Sequence, residues 1–194
     1  MSPKSVVTAR AKLGNRRVTG KEQYYTPREL ASVLVSKVKQ LVPDFSSRTV
    51  LEPAGGTGAF VEAAKAAGAK KVLSVDIEPK HGDVNKADYL STNLNLVDAV
   101  TISNPPFGRN NSLSIPFFNR AADTSEFIAF IVPRSWRKWS VINRLDRRFP
   151  GGRVPVPCHT VPEQVVSNRH QIAAVQVRVE PDLIDLINAL LLRD

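Results

Sequence analysis

The sequence predicts an α/β fold: a doubly wound, mostly parallel sheet with helices on both faces. Three observations carry that expectation. Short apolar runs alternate with segments of helical period along the chain. A glycine-rich turn follows the first of those runs directly, where doubly wound sheets place a ligand. The run Phe127 to Val132 is apolar throughout, as a central strand covered on both faces requires and a half-solvated strand does not.

Residues 1–20 read as a flexible basic arm, polar and without periodicity, ahead of one domain over 21–194. A helix is expected from Pro27, since proline suits a helix start; Leu30, Val33, Leu34, Val38 and Leu41 recur at helical spacing, and Pro43 ends the run. Residues 49–53 form a strand that runs into the glycine turn. A helix follows over 58–67, closed by Gly68, then a strand over 71–77 and another over 99–103. Residues 115–122 read as a helix and 127–132 as the central strand. The stretch from Trp136 to Arg148 is a helix or a basic loop. A late strand over 172–179 and an amphipathic helix over 181–192 close the chain.

Composition narrows the class. At 42% hydrophobic and 23% charged residues the chain has the balance of a soluble globular domain. Cys158 is the only cysteine, so no disulfide forms within the chain. One cysteine with His81, His159 and His170 scattered apart argues against a four-ligand zinc site, so no metal is expected. Cys158 reads as a small buried hydrophobe, and the histidines have no acid at a suggestive spacing. No signal-peptide core and no membrane-spanning run stand out, which leaves a reducing, cytoplasmic-type setting with no membrane partner as the expectation. Nothing in the sequence assigns an oligomeric state.

The charge is more telling. Lys and Arg number 27 against 18 Asp and Glu, a net +9. The surplus sits in two places: Lys4, Arg10, Lys12, Arg16, Arg17 and Lys21 without an acid, and Arg134, Arg137, Lys138, Arg144, Arg147, Arg148 and Arg153 against Asp146 alone. Two such segments suit a polyanion and suggest a surface that tracks phosphates. A merely soluble basic protein would share the net charge but needs no clustering. Trp136 and Trp139 flank these cations and could stack on bases, although core packing is the favoured reading of both.

Three motifs carry chemistry. Gly55, Gly56 and Gly58 sit in a strand-to-helix turn, where glycine lets backbone pass close to a ligand; the spacing departs from the dinucleotide pattern, and no Gly-Lys-Ser/Thr follows to make a P-loop. Asp76 ends the next strand about 20 residues on, where an acid can accept from ribose hydroxyls; a solvated strand-end acid is the plain alternative, and Glu78 competes for the role. Asn104-Pro105-Pro106-Phe107, after the strand 99–103, offers free carbonyls, a side-chain amide and a flat ring, because proline withdraws backbone donors. A Pro-Pro turn alone is common punctuation; one set between Asn and Phe after a strand is not.

Together these stretches resemble the class I, Rossmann-like S-adenosylmethionine-dependent amino methyltransferases. Asn104 to Phe107 resembles their motif IV and Glu52 to Phe60 their motif I. Residues 22–27 resemble the motif that precedes motif I in gamma-order adenine-N6 DNA methyltransferases, while Asp76 to Glu78 and Ala87 to Leu90 fit motifs II and III. The likeness covers roughly residues 21–135. Fewer than 90 residues follow motif IV, too few for a separate target-recognition domain, so strong sequence specificity is not expected. The compact size also resembles small phage-type adenine methyltransferases and the ribosomal-RNA adenine methyltransferases of the same motif.

The resemblance implies S-adenosylmethionine as cofactor and methyl transfer to the N6 amine of adenine in nucleic acid, DNA favoured over RNA. It implies catalytic roles for Asn104, Pro105, Pro106 and Phe107. The Asn104 Oδ1 and the Pro105 carbonyl would accept the two amine hydrogens, and Phe107 would stack on a flipped base. It implies a cofactor pocket built from Glu52, Pro53, Ala54, Gly55, Gly56 and Gly58, with Asp76 and Ile77 at the ribose and Asp88 and Tyr89 at the adenine. Tyr25, Thr26 and Pro27 would close the methionine end. Asp88 reads equally as a loop acid capping its own turn, and Tyr24 as a core aromatic. Alternatives are an RNA adenine methyltransferase, a protein glutamine methyltransferase, whose fourth motif position usually holds Tyr where this chain has Phe107, and a non-catalytic subunit of this fold that only binds nucleic acid.

Overall fold

A computed structural model describes residues 25–146, 148–149, 153–155 and 171–177. The expected arm, Tyr24, Cys158, His159, His170 and the closing helix lie outside the described residues.

Helix α1 (Arg28–Leu41) starts after Pro27, whose carbonyl accepts the Ala31 N–H at 3.0 Å. Its buried stripe is Ala31, Leu34, Val35 and Val38, the i, i+3, i+4, i+7 pattern of one helix face. The stripe is rotated from the expected one: Leu30 and Leu41 are partly buried at its margin, and Ala31 and Val35 take the centre. Val42 turns extended because Pro43 disfavours helix before it.

Strand β1 (Thr49–Glu52) leads through the glycine turn to α2 (Ala59–Ala66), β2 (Lys71–Asp76) and the two-residue β3 (Asn85–Lys86). Then come β4 (Ala99–Ser103), α3 (Ser114–Thr124), β5 (Ser125–Pro133), a 3-10 turn over Arg134–Arg137, the single turn α4 (Trp139–Ile142), β6 (Arg153–Pro155) and β7 (Gln171–Val177). The stretch after β5 is therefore neither a full helix nor a plain loop. One sheet has the order β3-β2-β1-β4-β5-β7-β6. The first five are parallel neighbours, and β7 and β6 complete the edge antiparallel. β3 and β6 lacked an apolar signal: Asn85 and Lys86 are polar and exposed.

Burial alternates with the pleat. Phe127, Ala129 and Ile131 of β5 pack with α1 and α2 on one face, while Ile128, Phe130 and Val132 pack with α3 on the other. Phe118 of α3 anchors that second layer, edge-on to Phe130, Trp136 and Phe149 at 5.7–6.0 Å. Among the described residues no helix is long and apolar enough to cross a membrane, and no group of three or more His, Cys, Asp or Glu is placed to hold a metal. The chain runs from β1 outward through β2 to β3, then returns to lay β4 on the other side of β1. That reversal opens a crevice at the carboxyl ends of β1, β2 and β4, where such sheets bind ligands.

Candidate functional site

The crevice holds a cavity of about 610 Å³, within the usual size of small-molecule sites. Its floor is the end of β1 and the turn: Pro53, Ala54 and Gly56. Asp76, Ile77 and Glu78 from the end of β2 form one side, and Asp88 and Tyr89 the next. Asn104, Pro105 and Pro106 after β4 close the far end, and Tyr25 covers the turn. The structure thus brings together eleven of the sequence-predicted residues. Ala87 and Leu90, the ends of the stretch that fits motif III, also line the cavity, as do Leu113 and Phe117; no sequence signal singled out the last two, because an apolar wall residue looks like any core residue.

Six predicted residues lie elsewhere. Thr26 sits behind Asn104 and receives its Nδ2–H on Oγ1 at 3.2 Å. Pro27 caps α1. Gly55 and Gly58 are glycine for reasons internal to the fold. A Cβ on Gly55 would come within 2.1 Å of Ser74 Oγ. Gly58 has φ +78, and a Cβ there would lie 2.4 Å from the His81 ring. Gly56 alone of the three lines the cavity, with the Tyr25 ring packed on it. Phe107 lines a separate cavity next door. Glu52 is buried beneath the turn, 1% exposed, where its Oε1 accepts from the Ala54 N–H at 2.9 Å and the Ser103 hydroxyl at 2.6 Å. Burial pushes its carboxyl up to about 8, against the opposing pull of those two hydrogen bonds; the neighbouring Asp76 charge raises it further.

The acids are tied to the backbone. Asp76 accepts from the Gly56 N–H on one oxygen and the Glu78 N–H on the other, both at 2.8 Å, pinning the glycine turn to β2. Asp88 caps its own turn through the Leu90 N–H and the Ser91 hydroxyl, both at 3.0 Å. Carboxylate oxygens have lone pairs beyond these, so capping leaves both side chains able to accept further hydrogen bonds. The Tyr89 hydroxyl is buried and has no hydrogen-bond partner among the described residues, and burial raises its pKa. His81 was passed over in the sequence. It packs on Gly58 and bonds Glu62 at 3.1 Å through Nε2; contact across 23 residues leaves no local signature.

The two tryptophans part company. Trp136 is core, its indole N–H donating to Ser114 Oγ. Trp139 is 76% exposed, which corrects the core reading. α4 is a single turn that buries Val141, and a residue two positions away points to the other side. The basic cluster also divides. Arg148 is held by Asp123 and Asp146, whereas Arg137, Lys138 and Arg144 form no ion pair with a described residue.

No protein-family model matches the sequence, and no curated protein is significantly similar. Solved structures do match. A candidate class I S-adenosylmethionine-dependent methyltransferase from Listeria monocytogenes superposes with TM-score 0.59 at 14% identity, over 86% of this chain and 64% of its own length. This chain therefore spans less than two thirds of that protein. A candidate RNA methyltransferase from Pyrococcus horikoshii gives TM-score 0.59 at 22% identity, over 82% and 88%. The modification subunit of a candidate type I restriction enzyme from Vibrio vulnificus gives 0.50 at 15%, over 82% and 46%. Strand order, crevice and these superpositions agree: the chain has the Rossmann-like fold of class I methyltransferases.

Proposed function

We propose that the protein is an S-adenosylmethionine-dependent methyltransferase that modifies the N6 amine of adenine in nucleic acid, DNA before RNA. The observation that carries this reading is the meeting of three sequence motifs at one cavity. Asn104, Pro105 and Pro106 form its far end, the glycine turn its floor, and the segment before α1 supplies both Tyr25 over the turn and Thr26 behind Asn104.

The cavity suits the cofactor. It is long enough to border two acids from consecutive segments, mostly apolar between them, and walled by Tyr89, whose buried hydroxyl has a hydrogen bond to give. Asp76 would take the ribose hydroxyls, Asp88 and Tyr89 the adenine, and Tyr25 with Gly56 the methionine end. When bound, S-adenosylmethionine supplies an electrophilic methyl on sulfur.

The chain's own residues do the rest. The adenine amine is a weak nucleophile because its lone pair is delocalised into the ring. Thr26 holds the Asn104 amide by its nitrogen, which directs Oδ1 to the opposite side of the group. That oxygen and the Pro105 carbonyl would accept the two amine hydrogens, draw the nitrogen toward tetrahedral geometry and free the lone pair. Asn104 is no base, so the amine proton leaves to water after transfer. Phe107, the next residue, lines the neighbouring cavity and would stack on the target base from there.

The decisive experiment incubates the protein with labelled cofactor and a panel of DNA and RNA and identifies the product by nucleoside mass spectrometry. N6-methyladenine, made more readily in DNA, is expected. 4-Methylcytosine would overturn the base assignment; product in structured RNA alone would favour an RNA enzyme, a reading the Pyrococcus protein supports through its close match in length. In Asn104→Ala methyl transfer should be abolished while calorimetry shows nearly unchanged cofactor affinity; activity near wild type would sink the mechanism.

A further inference from the structure

A second cavity, of about 510 Å³, lies beyond the first and takes its near wall from Phe107. Consecutive residues of one loop thus face two different spaces: Asn104 to Pro106 the first, Phe107 and Gly108 the second. The two differ in character. The first is bordered by Asp76, Glu78 and Asp88; no carboxylate lines the second, which Lys138 and Arg144 enter from α4 and its flanks.

Those cations are available. Arg28, Arg48, Lys65 and Arg148 are each in an ion pair, whereas Lys138 and Arg144 form none with a described residue. Arg144 is steered inward by a 3.5 Å contact from Nη1 to the Asn110 carbonyl. The opposite wall is held in an uncommon backbone: Gly108, Asn110 and Asn111 have φ of +66, +54 and +62. Such conformations cost free energy and gather at binding sites, with Asn among the residues that tolerate them. Buried Asn111 braces this wall by donating to the Ser135 hydroxyl at 3.3 Å. Trp139, between the lining residues Lys138 and Ser140, presents its indole to solvent.

We propose that this second cavity seats the nucleotide next to the methylated one. Lys138 and Arg144 pair with its phosphodiester, and Trp139 stacks on the base beyond. A polynucleotide strand whose target base enters the first cavity must continue past Phe107, and this acid-free space is where the loop directs it. Cations that meet phosphate give affinity with little sequence preference. The inference rests on the nucleic-acid methyltransferase reading and names where that substrate's backbone lies.

The test measures anisotropy of a fluorescein-labelled, adenine-containing 12-nucleotide single strand across a salt series. It compares wild type, Lys138→Gln/Arg144→Gln, the charge-keeping Lys138→Arg/Arg144→Lys, and Lys70→Gln/Lys71→Gln at the opposite end of the sheet. Counterion release is worth about 0.7 of a unit in the log-log slope per single-strand phosphate, so the first variant should lower the slope by roughly one unit. The other two should keep the wild-type slope. An unchanged slope in Lys138→Gln/Arg144→Gln, an equal loss in the Lys70 and Lys71 variant, or a wild type that binds no oligonucleotide would each overturn the proposal. Thermal melts verify that the exposed substitutions leave the fold intact. Methyl transfer measured on the same samples separates the two readings. A changed slope without methylation keeps this site and removes the enzyme assignment; methylation with an unchanged slope does the reverse.

Discussion

Asp76 shows how much one side chain in this site does at once. Its two oxygens hold the Gly56 and Glu78 N–H groups, so it shapes the turn and still borders the cavity. Removing it leaves the Gly56 and Glu78 N–H groups without that partner and, on the proposed reading, takes an acceptor from the cofactor ribose. Asp76→Ala should weaken cofactor binding by about 1–3 kcal/mol, the usual penalty for polar groups left unpaired, or roughly 5- to 150-fold in Kd. Glu78→Ala is the informative control, because Glu78 lines the same wall. Calorimetry showing unchanged affinity in Asp76→Ala, and a loss in Glu78→Ala, would move the ribose role to Glu78. Sequence spacing placed Asp76 correctly at the end of β2, but it could not show that Asp88 both caps its turn and borders the cavity; that depends on where the loop after β3 goes.

At the scale of elements, the glycine turn and the start of α2 form one packed unit with the loop after β2. Gly58 sits at left-handed φ under the His81 ring, and His81 is held by Glu62 of α2 and by the Asp83 N–H at 3.2 Å. An alanine at position 58 meets both a strained backbone and an occupied space. Gly58→Ala should cost about 1–3 kcal/mol, the scale of a residue forced into a rare conformation. Because part of the cost is the clash, His81→Ala should recover some of it: the double variant should be less destabilised than the sum of the two singles, as for residues in contact. Denaturant midpoints of the four proteins complete the cycle, and strict additivity would show that the ring gives way freely. The turn was legible in the sequence as a glycine-rich link from strand to helix. Two of its three glycines turn out to answer to Ser74, Val84 and His81, residues 19 to 29 positions away, and such tertiary demands leave no local pattern. The same holds for β3 and β6, whose few residues carry no alternation, while α1, β1, β2, β4 and β5 announced themselves through periodicity that burial on one or both faces imposes.

Across the whole molecule, Glu52 joins the two halves of the site. From the end of β1 its carboxyl bonds Ala54 in the glycine turn and Ser103 at the end of β4, the residue before Asn104. It is the centre of the crevice's foundation, and it is fully enclosed. Enclosure penalises the ionised form, so its carboxyl is pushed up to about 8 from the ordinary 4.5. The stability consequence has a definite sign. Below pH 4.5 the group is protonated in folded and unfolded chains alike. Between 4.5 and about 8 the unfolded chain releases the proton while the fold retains it, so rising pH favours unfolding. The loss runs at up to about 1.4 kcal/mol per pH unit and is complete once pH passes the folded value. Glu52→Gln keeps an oxygen acceptor for Ala54 and Ser103 and has nothing to ionise. Wild type should therefore lose stability relative to Glu52→Gln as pH rises from 5 to 8, and Glu52→Ala, which also has nothing to ionise, should be less stable than Glu52→Gln at every pH because it abandons both bonds. Paired urea titrations at pH 5, 6, 7 and 8 measure this directly. A wild-type-minus-glutamine difference that stays constant over that range would mean that Glu52 is ionised inside the fold. The crevice would then rest on a buried charge rather than on a neutral acid that accepts two hydrogen bonds.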